Sequence, residues 1–290
     1  MKNSSEARQY ERCVCIEPLG IGISHKRTYY RGNNMESHDV CELNIQRECC
    51  DRIFVRDSIY ELDGACVFTF RPGEIHSGIN DTNRLHERYI ISFMPDCFDF
   101  LPDGDRLLRC FFERESGKDN MTLLPADELS ECFSLLDAIF EADSESLPER
   151  GAVMLSCLIR ILAIVNRRYG ATSGRGAMPE PLRRMIGYID ENLQSPLRVG
   201  ELSREFGVSV STAERLFVGC LGITPRRFIL LRRIECAKRL LRDGAAVSEA
   251  CFGAGFGDYS HFIADFRKVV GITPAKYRLC DPTRRDFIHS

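Results

Sequence analysis

Residues that can form hydrogen bonds with bases and phosphates occur in two segments near the C-terminus. The first segment carries Glu214 and Arg215, and the second carries Arg267 and Lys268. Arginine can contact a guanine edge through two hydrogen bonds, and glutamate can accept one from a cytosine amino group. Arginine and lysine also bind phosphates, which position a protein without reading sequence. This chemistry indicates a nucleic-acid partner.

The two segments belong to a duplicated motif. Gly222-Ile223-Thr224-Pro225 recurs as Gly271-Ile272-Thr273-Pro274, and Phe217 recurs at the same spacing as Phe266. The spacing of the apolar residues predicts helices over 197–206 and 209–220 around a turn at Gly207, and helices over 247–254 and 258–269 around a turn at Gly255. A helix, a short glycine-containing turn and a second helix form the helix-turn-helix plan, whose second helix enters the major groove.

The outward residues of each second helix are therefore the candidates for DNA contact. We predict that Glu214 and Arg215 read bases, whereas Arg267 and Lys268 hold the backbone. Two alternatives stay open: Ser211 and Glu214 match a capping box, and Arg215 could form a surface ion pair. The full candidate set is Ser209, Val210, Ser211, Glu214, Arg215, Arg226, Tyr259, Ser260, His261, Ile263, Arg267 and Lys268.

A long helix is predicted between the two copies. Thr224 can cap it, Pro225 can occupy its first turn, and its apolar spacing extends to Arg242. About 18 residues make a rod of roughly 27 Å. Because one turn of DNA is about 34 Å, we expect both second helices to reach successive major grooves.

The charge distribution favours the same partner. Residues 180–290 carry a net charge of +5, whereas residues 1–179 carry −8. The basic part contains the duplication, which indicates an anionic partner for that part.

Residues 182–278 resemble the AraC-family DNA-binding domain. The resemblance is carried by the two helix-turn-helix motifs, the Gly-Ile-Thr-Pro turn after each, Gly255-Phe256, and the closing Ala275-Lys276-Tyr277-Arg278. It implies a bacterial transcription regulator that binds a double-stranded DNA operator, forms a homodimer and contacts RNA polymerase if it activates. Two positions depart from the family pattern, Ser211 and Ala264, and the second favours an anchoring role for the second recognition helix.

The N-terminal part is predicted to be a β-barrel or sandwich followed by two helices. Residues 1–36 read as irregular, and short strands follow from about residue 40 to 93, with turns that include Asn80-Asp81. A helix over 148–169 is apolar on most of its circumference, so either the barrel or a second subunit must cover it. Residues 170–181 read as a linker.

The segment Phe70–Ser77 contains a Pro-Gly-x-x-His turn and resembles the mouth of a cupin-like sensor domain. This resemblance implies a small polar effector, such as a sugar or related metabolite. The candidate ligand-binding residues are His25, Arg31, His38, Glu42 and His76. Two alternatives stay open: a metal-dependent cupin enzyme fused to a DNA-binding module, and a ligand-independent regulator whose N-terminal part only dimerises. The incomplete cupin metal motif argues against a metal or catalytic residues, and we expect no cofactor.

The expected fold class is α+β, with a cupin-like β-barrel with flanking helices and an all-α domain with two helix-turn-helix motifs. The domains are 1–169, for effector binding and dimerisation, the linker 170–181, and 182–280 for DNA binding. No apolar run approaches the roughly 20 residues of a membrane span, and the polar N-terminus lacks a secretory signal. We therefore expect a cytoplasmic protein whose cysteines are free thiols.

Overall fold

The computed structural model describes residues 9–170 and 178–279. The chain divides into two compact units, one of residues 1–56 with 60–176, the other of residues 57–59 with 177–290. Most of the predicted linker, residues 171–177, lies outside the described residues. None of the described helices is both long and apolar enough to span a membrane.

The first unit is built on an antiparallel sheet of eight strands. The strands are β1 Tyr10–Ile16, β2 Ile21–Glu36, β3 Cys41–Glu48, β4 Arg52–Val55, β5 Ser58–Glu61, β6 Cys66–Phe70, β7 His76–Phe93 and β8 Met121–Thr122. Short 3-10 turns lie at Glu17–Leu19, Pro95–Phe98 and Gly104–Leu108, and the helices are α1 Arg109–Phe112, α2 Ala126–Ser144 and α3 Arg150–Arg168.

The long strand β7 organises this sheet. One edge of β7 pairs with β2 along most of its length. The other edge pairs first with β4 and then with β3. The order β1-β2-β7-β3-β6-β8 has two ends, with β4 and β5 off this path. The predicted antiparallel strands are therefore present, but among the described residues no strand pair closes the sheet into a barrel.

Two local predictions are wrong. Residues 10–36 are not irregular, because they form β1 and all of β2. Asn80-Asp81 is not a turn, because β7 runs through it without a break. Turn residues tolerate an extended conformation where a long partner strand supplies the hydrogen bonds. Here β2 pairs with β7 at Asn80 and again at Arg84, across a register shift between Tyr30 and Gly32.

Side chains on both faces of the sheet are buried. On β3, Cys41, Leu43 and Ile45 point into the main hydrophobic core, where α2 and α3 pack. The residues between them, Glu42, Asn44 and Gln46, are also buried. Because side chains alternate along a strand, these polar residues must lie together on the opposite face, away from the helices.

The apolar face of α3 packs inside its own unit. Its buried residues, all in the main core, are Met154, Cys157, Leu158, Ile161, Leu162, Ile164 and Val165. Burial of one such aliphatic side chain contributes about 1.5–3 kcal/mol. Intradomain packing thus accounts for the apolar sequence of this helix, without a second subunit.

The described residues of the second unit from 178 to 279 form helices joined by short turns. Its helices are α4 Glu180–Glu191, α5 Val199–Glu205, α6 Val210–Leu221, α7 Pro225–Arg242, α8 Val247–Gly253, α9 Tyr259–Val270 and α10 Pro274–Leu279. The connecting helix α7 has the predicted bounds and the predicted cap, since Thr224 Oγ1 accepts from the Arg227 N–H at 3.3 Å. Phe228 of α7 packs edge-on against Phe217 of α6. Further along α7, Ile234, Ala237 and Leu241 pack with the second motif.

Candidate nucleic-acid interface and polar cavity

The first recognition helix, α6, begins at a serine cap. Ser209 Oγ accepts a hydrogen bond from the Thr212 N–H at 3.1 Å and lies 2.9 Å from the Thr212 hydroxyl. The cap is therefore two residues earlier than in the capping box considered from the sequence. Ser211 is inside the helix, so Glu214 is not needed to cap it.

The side chains of Glu214 and Arg215 are exposed on α6. Neither forms a hydrogen bond or an ion pair with the part of the chain that the structure describes. The surface ion pair considered for Arg215 is thus not found there. Val210 and Ser211 are exposed on the same helix. An exposed arginine and glutamate without intramolecular partners can exchange water for base edges at little cost in lost protein contacts.

The second recognition helix, α9, begins at the predicted aspartate cap. Asp258 Oδ1 accepts from the His261 N–H at 2.7 Å. The predicted contact residues that are exposed on it are Tyr259, Ser260, His261, Arg267 and Lys268. Ile263, which was predicted to face outward, is instead partly buried against the core of the second motif. An aliphatic side chain gains more by packing against this apolar core than by facing water.

The turn between α8 and α9 depends on Gly255. Its φ of +85° is in the left-handed region, and a Cβ there would lie 2.1 Å from the Leu193 carbonyl oxygen. Gly207, in the corresponding turn of the first motif, has a φ of +64° but no atom within 4 Å of a Cβ. The second turn thus needs glycine for both conformation and space, and the first for conformation alone.

The arginines of α7 have different roles. Arg226 is exposed near the helix N-terminus, where phosphates bind readily. Arg232 pairs with Asp190 of α4. Arg233 donates to the Leu193 and Ser195 carbonyl oxygens at 3.2 and 2.8 Å. Of these three arginines, only Arg226 is available as a DNA contact, because Arg232 is bound to α4 and Arg233 to the loop after it.

A polar cavity of about 290 Å³ lies in the first unit. The cavity lies on the sheet face opposite α2 and α3. Polar side chains of β2, β3 and β7 point into it. Its lining residues are Thr28, Tyr30, Glu36, Glu42, Asn44, Gln46, Cys50, Ile53, Phe70, His76, Gly78, His86, Arg88 and Ile90. A volume near the lower end of the ~300–1,000 Å³ range of ligand sites fits a small molecule.

Two atoms of the cavity wall are buried without a hydrogen-bond partner among the described residues. They are Asn44 Oδ1 and the Tyr30 hydroxyl oxygen. Asn44 itself is 7% exposed. A buried polar atom left unpaired costs about 1–3 kcal/mol. A ligand that donates or accepts hydrogen bonds would recover this cost.

The five predicted ligand-binding residues separate into two groups. Glu42 and His76 line the cavity, and His38 Nε2 lies 3.3 Å from Glu42 Oε2. His25 is instead buried on the helix side of the sheet, stacked on Tyr89 with ring centroids 3.9 Å apart. Arg31 is exposed and does not line the cavity. The structure therefore places His25 and Arg31 outside the cavity wall.

His25 belongs to a buried polar cluster. It hydrogen-bonds to the Tyr10 hydroxyl at 2.9 Å and to Glu87 Oε1 at 3.2 Å. Burial lowers the pKa of His25, the contact with Glu87 raises it, and Arg12 and Arg47 lower it further; the direction overall is down.

A buried ion pair holds the turn that carries His76. Arg114 donates to both carboxylate oxygens of Glu74, at 2.9 and 2.6 Å, and both side chains are fully buried. The Gly117 N–H donates to the same carboxylate at 2.7 Å. Burial alone would raise the pKa of Glu74, but the hydrogen bonds and charge of Arg114 and the backbone donors lower it to about 2. Glu74 is thus an ionised structural anchor.

Sequence reasoning missed several residues of the cavity wall. Chief among them are Glu36, Asn44, Gln46, His86 and Arg88. A signal was available in β3, where polar and apolar residues alternate from Cys41 to Gln46. Such alternation is usual for a strand with one solvated face. It did not reveal that the polar face encloses a cavity.

The chain is similar to known regulators. A family model described as a helix-turn-helix domain matches residues 202–279. The transcriptional activator RhaS of Pectobacterium atrosepticum is 24% identical over 248 residues, covering 83% of this chain and 86% of that protein. The thermoregulatory protein LcrF of Yersinia pestis is 31% identical over 176 residues, covering 57% of this chain and 64% of that protein.

A solved structure is also similar. The DNA-binding domain of AdpA, crystallised with a target DNA, has 26% sequence identity and a TM-score of 0.34, covering 39% of this chain and 100% of that one.

The matched domain spans both duplicated motifs almost completely, from Leu202 in α5 to Leu279 at the end of α10. Within it lie both capped recognition helices, both glycine turns and the connecting helix α7. These are the elements on which the resemblance of residues 182–278 rests. Residues 202–279 therefore form a helix-turn-helix domain of the AraC type.

Proposed function

We propose that this protein regulates transcription by binding an operator through α6 and α9, and that a small polar effector bound in the sheet cavity changes the operator affinity. The observation that carries the effector part is the cavity wall, where the Asn44 and Tyr30 oxygens are buried and unpaired. A wall of this kind favours a ligand with several hydrogen-bonding groups.

The DNA-binding part rests on the unpaired charged residues of the recognition helices. Glu214 and Arg215 on α6 have the chemistry for base reading. Arg267 and Lys268 on α9, with Arg226 on α7, have the chemistry for phosphate contacts. We propose one specific half and one anchoring half, held about one DNA turn apart by α7.

The effector class follows from the composition of the wall. Carboxylates, amides, imidazoles and a guanidinium supply both donors and acceptors, and Phe70, Ile53 and Ile90 add apolar surface. A hydroxyl-rich molecule with one apolar face, such as a monosaccharide or related metabolite, matches this mixture. The cavity lies in the part of the chain that resembles a cupin-like sensor domain.

We propose a binding role rather than a catalytic one for the first unit. Relatives that cover much of the chain carry the names of regulators. The rest of the proposal is a cytoplasmic homodimer with domains 1–169 and 182–280 joined by 170–181. An activator of this kind would contact RNA polymerase as well as the operator.

A calorimetric screen of the full chain against monosaccharides and small polar metabolites tests the effector. Asn44→Leu should abolish binding of any hit, because it replaces the inward amide with an apolar group of similar size. Arg31→Ala, outside the cavity, is the matched control and should bind as wild type. Each hit should then change operator affinity about 5- to 150-fold. A hit that binds Asn44→Leu normally, or leaves operator affinity unchanged, contradicts the proposal.

A further inference from the structure

The loop that follows α4 is tied to the first helix-turn-helix motif. The Asn192 N–H donates to the Tyr188 carbonyl oxygen at 3.0 Å, and the Ser195 N–H donates to the Asn192 carbonyl oxygen at 2.9 Å. Tyr188 also packs edge-on against Phe206, just after α5, with ring centroids 5.7 Å apart. Because these contacts join the loop to both helices, residues 192–195 should move together with α4 and α5.

The same loop lies directly against the turn of the second motif. A Cβ on Gly255 would be 2.1 Å from the Leu193 carbonyl oxygen and 2.9 Å from Gln194 Cα, so the two backbones touch with no side chain between them. Only glycine lets two backbones approach this closely. The two motifs are therefore in contact at a point that lies outside α7.

The turn at Gly255 is joined to α9. The Phe256 N–H donates to the Cys251 carbonyl oxygen at 3.1 Å. The rings of Phe256 and Phe262 have centroids 4.8 Å apart, and both rings are buried in the core of the second motif. Asp258, which caps α9, is only two residues beyond Phe256. The position of the turn therefore determines where α9 begins.

Arg233 of α7 holds the loop at this contact. Its Nε donates to the Leu193 carbonyl oxygen at 3.2 Å, and its Nη2 donates to the Ser195 carbonyl oxygen at 2.8 Å. The Leu193 oxygen that accepts from Arg233 is also the oxygen that faces Gly255. A guanidinium donates from several nitrogens in one rigid plane, so it can span two carbonyl oxygens in a way that a lysine nitrogen cannot.

We propose that Arg233 is a positioning residue for operator binding, because it fixes the loop over 193–195 against Gly255 and so sets the orientation of α9 relative to α6. This inference rests on the proposed function and deepens it. Each motif packs on its own part of α7, and a long helix can bend. A second contact is therefore needed to keep both recognition helices in one orientation. Two linked modules strengthen each other's binding only when both reach their sites at once.

Binding of the full chain to two DNA duplexes at low salt tests this role. One duplex is an operator selected from random DNA, and the other contains the α6 contacts but ends before the groove that α9 enters. The wild type should bind the operator more tightly, because only the operator offers the α9 contacts. Arg233→Ala should weaken operator binding about 10-fold or more, yet bind the shortened duplex as the wild type does. Loss of the fold would instead weaken binding to both.

Arg233→Lys separates positioning from charge. It keeps the positive charge but lacks the planar fork, so it should resemble Arg233→Ala. Arg239→Ala removes the same charge from an exposed position of α7 and should keep the wild-type difference between the two duplexes.

Three results would overturn the role of Arg233. In the first, Arg233→Ala keeps the wild-type gain on the operator. In the second, Arg233→Lys restores that gain, which would indicate a phosphate contact. In the third, both variants lose affinity equally for the two duplexes, which would indicate support of the whole domain. A wild type that gains nothing on the operator would overturn the anchoring part of the proposed function, and this inference with it.

Discussion

At the scale of single residues, the Glu74–Arg114 pair decides whether the 71–76 turn is ordered. Arg114 also donates to the Thr69 and Cys110 carbonyl oxygens at 2.9 and 3.1 Å, so one guanidinium joins several parts of the unit. If the carboxylate were lost, a buried cation would remain without its counter-charge.

We therefore expect Glu74→Gln to destabilise the first unit by about 3–5 kcal/mol. Urea denaturation followed by circular dichroism measures this change. Glu113→Gln is the matched control, since its ion pair with Arg109 is exposed and should be worth about 0–1 kcal/mol. Equal effects of the two substitutions would show that the buried pair is not the anchor described.

His86 should make stability depend on pH. Burial, then Arg88 and Arg84, lower the pKa of His86 to about 4, and Asp51 opposes them weakly. The folded pKa is below the ordinary value of 6.5, so the folded state prefers the neutral ring. Its contribution is complete above pH 6.5 and is lost as the pH falls toward 4.

From this shift we expect the free energy of unfolding to fall by about 2 kcal/mol more in wild type than in His86→Gln between pH 7 and pH 4. The glutamine keeps an acceptor for Asn80 Nδ2, which donates to His86 Nε2 at 2.7 Å. His25 is present in both proteins, so its own contribution to the pH dependence of unfolding cancels in the comparison. Parallel pH profiles would contradict the assignment.

At the scale of elements, the sequence predicted the second unit well because its signals are local. Thr224 and Asp258 both cap helices as expected, and Gly255 lies in the expected turn. Capping and turn formation depend on a few neighbouring residues, so they can be read from one segment.

The first unit was harder to predict because its sheet depends on distant pairs. Residues 10–36 have weak strand signals of their own, and they become strands because β2 pairs with β7 and β1 pairs with β2. Glu36 was missed for this reason, since it seemed to lie in an irregular segment. His25 was assigned to the ligand site because nothing local tells which face of the sheet it occupies.

The two glycine turns give a test at this scale. Gly255→Ala places a Cβ 2.1 Å from a backbone oxygen in addition to the left-handed strain, whereas Gly207→Ala adds the strain alone. We expect Gly207→Ala to cost about 1–2 kcal/mol and Gly255→Ala clearly more. Thermal unfolding of both variants measures the difference, and equal losses would contradict the close approach to Leu193.

At the scale of the whole molecule, the chain combines a polar cavity in one unit with a pair of recognition helices in the other. The two copies of the duplicated motif differ in the charged side chains that their second helices expose. The first copy presents Glu214 and Arg215, and the second presents Arg267 and Lys268. We propose that specificity comes from α6 and anchoring from α9.

The most direct test is binding of wild type, Arg215→Ala and Lys268→Ala to an operator selected from random DNA, and to unrelated DNA, over a range of salt. Arg215→Ala should lose about 1–3 kcal/mol on the operator and accept other bases at one position. Lys268→Ala should weaken binding to every sequence and reduce the salt slope by about one. Arg183→Ala on α4, which loses the same charge, should do neither. If both recognition-helix variants bound the operator as wild type does, the assigned recognition faces would be wrong.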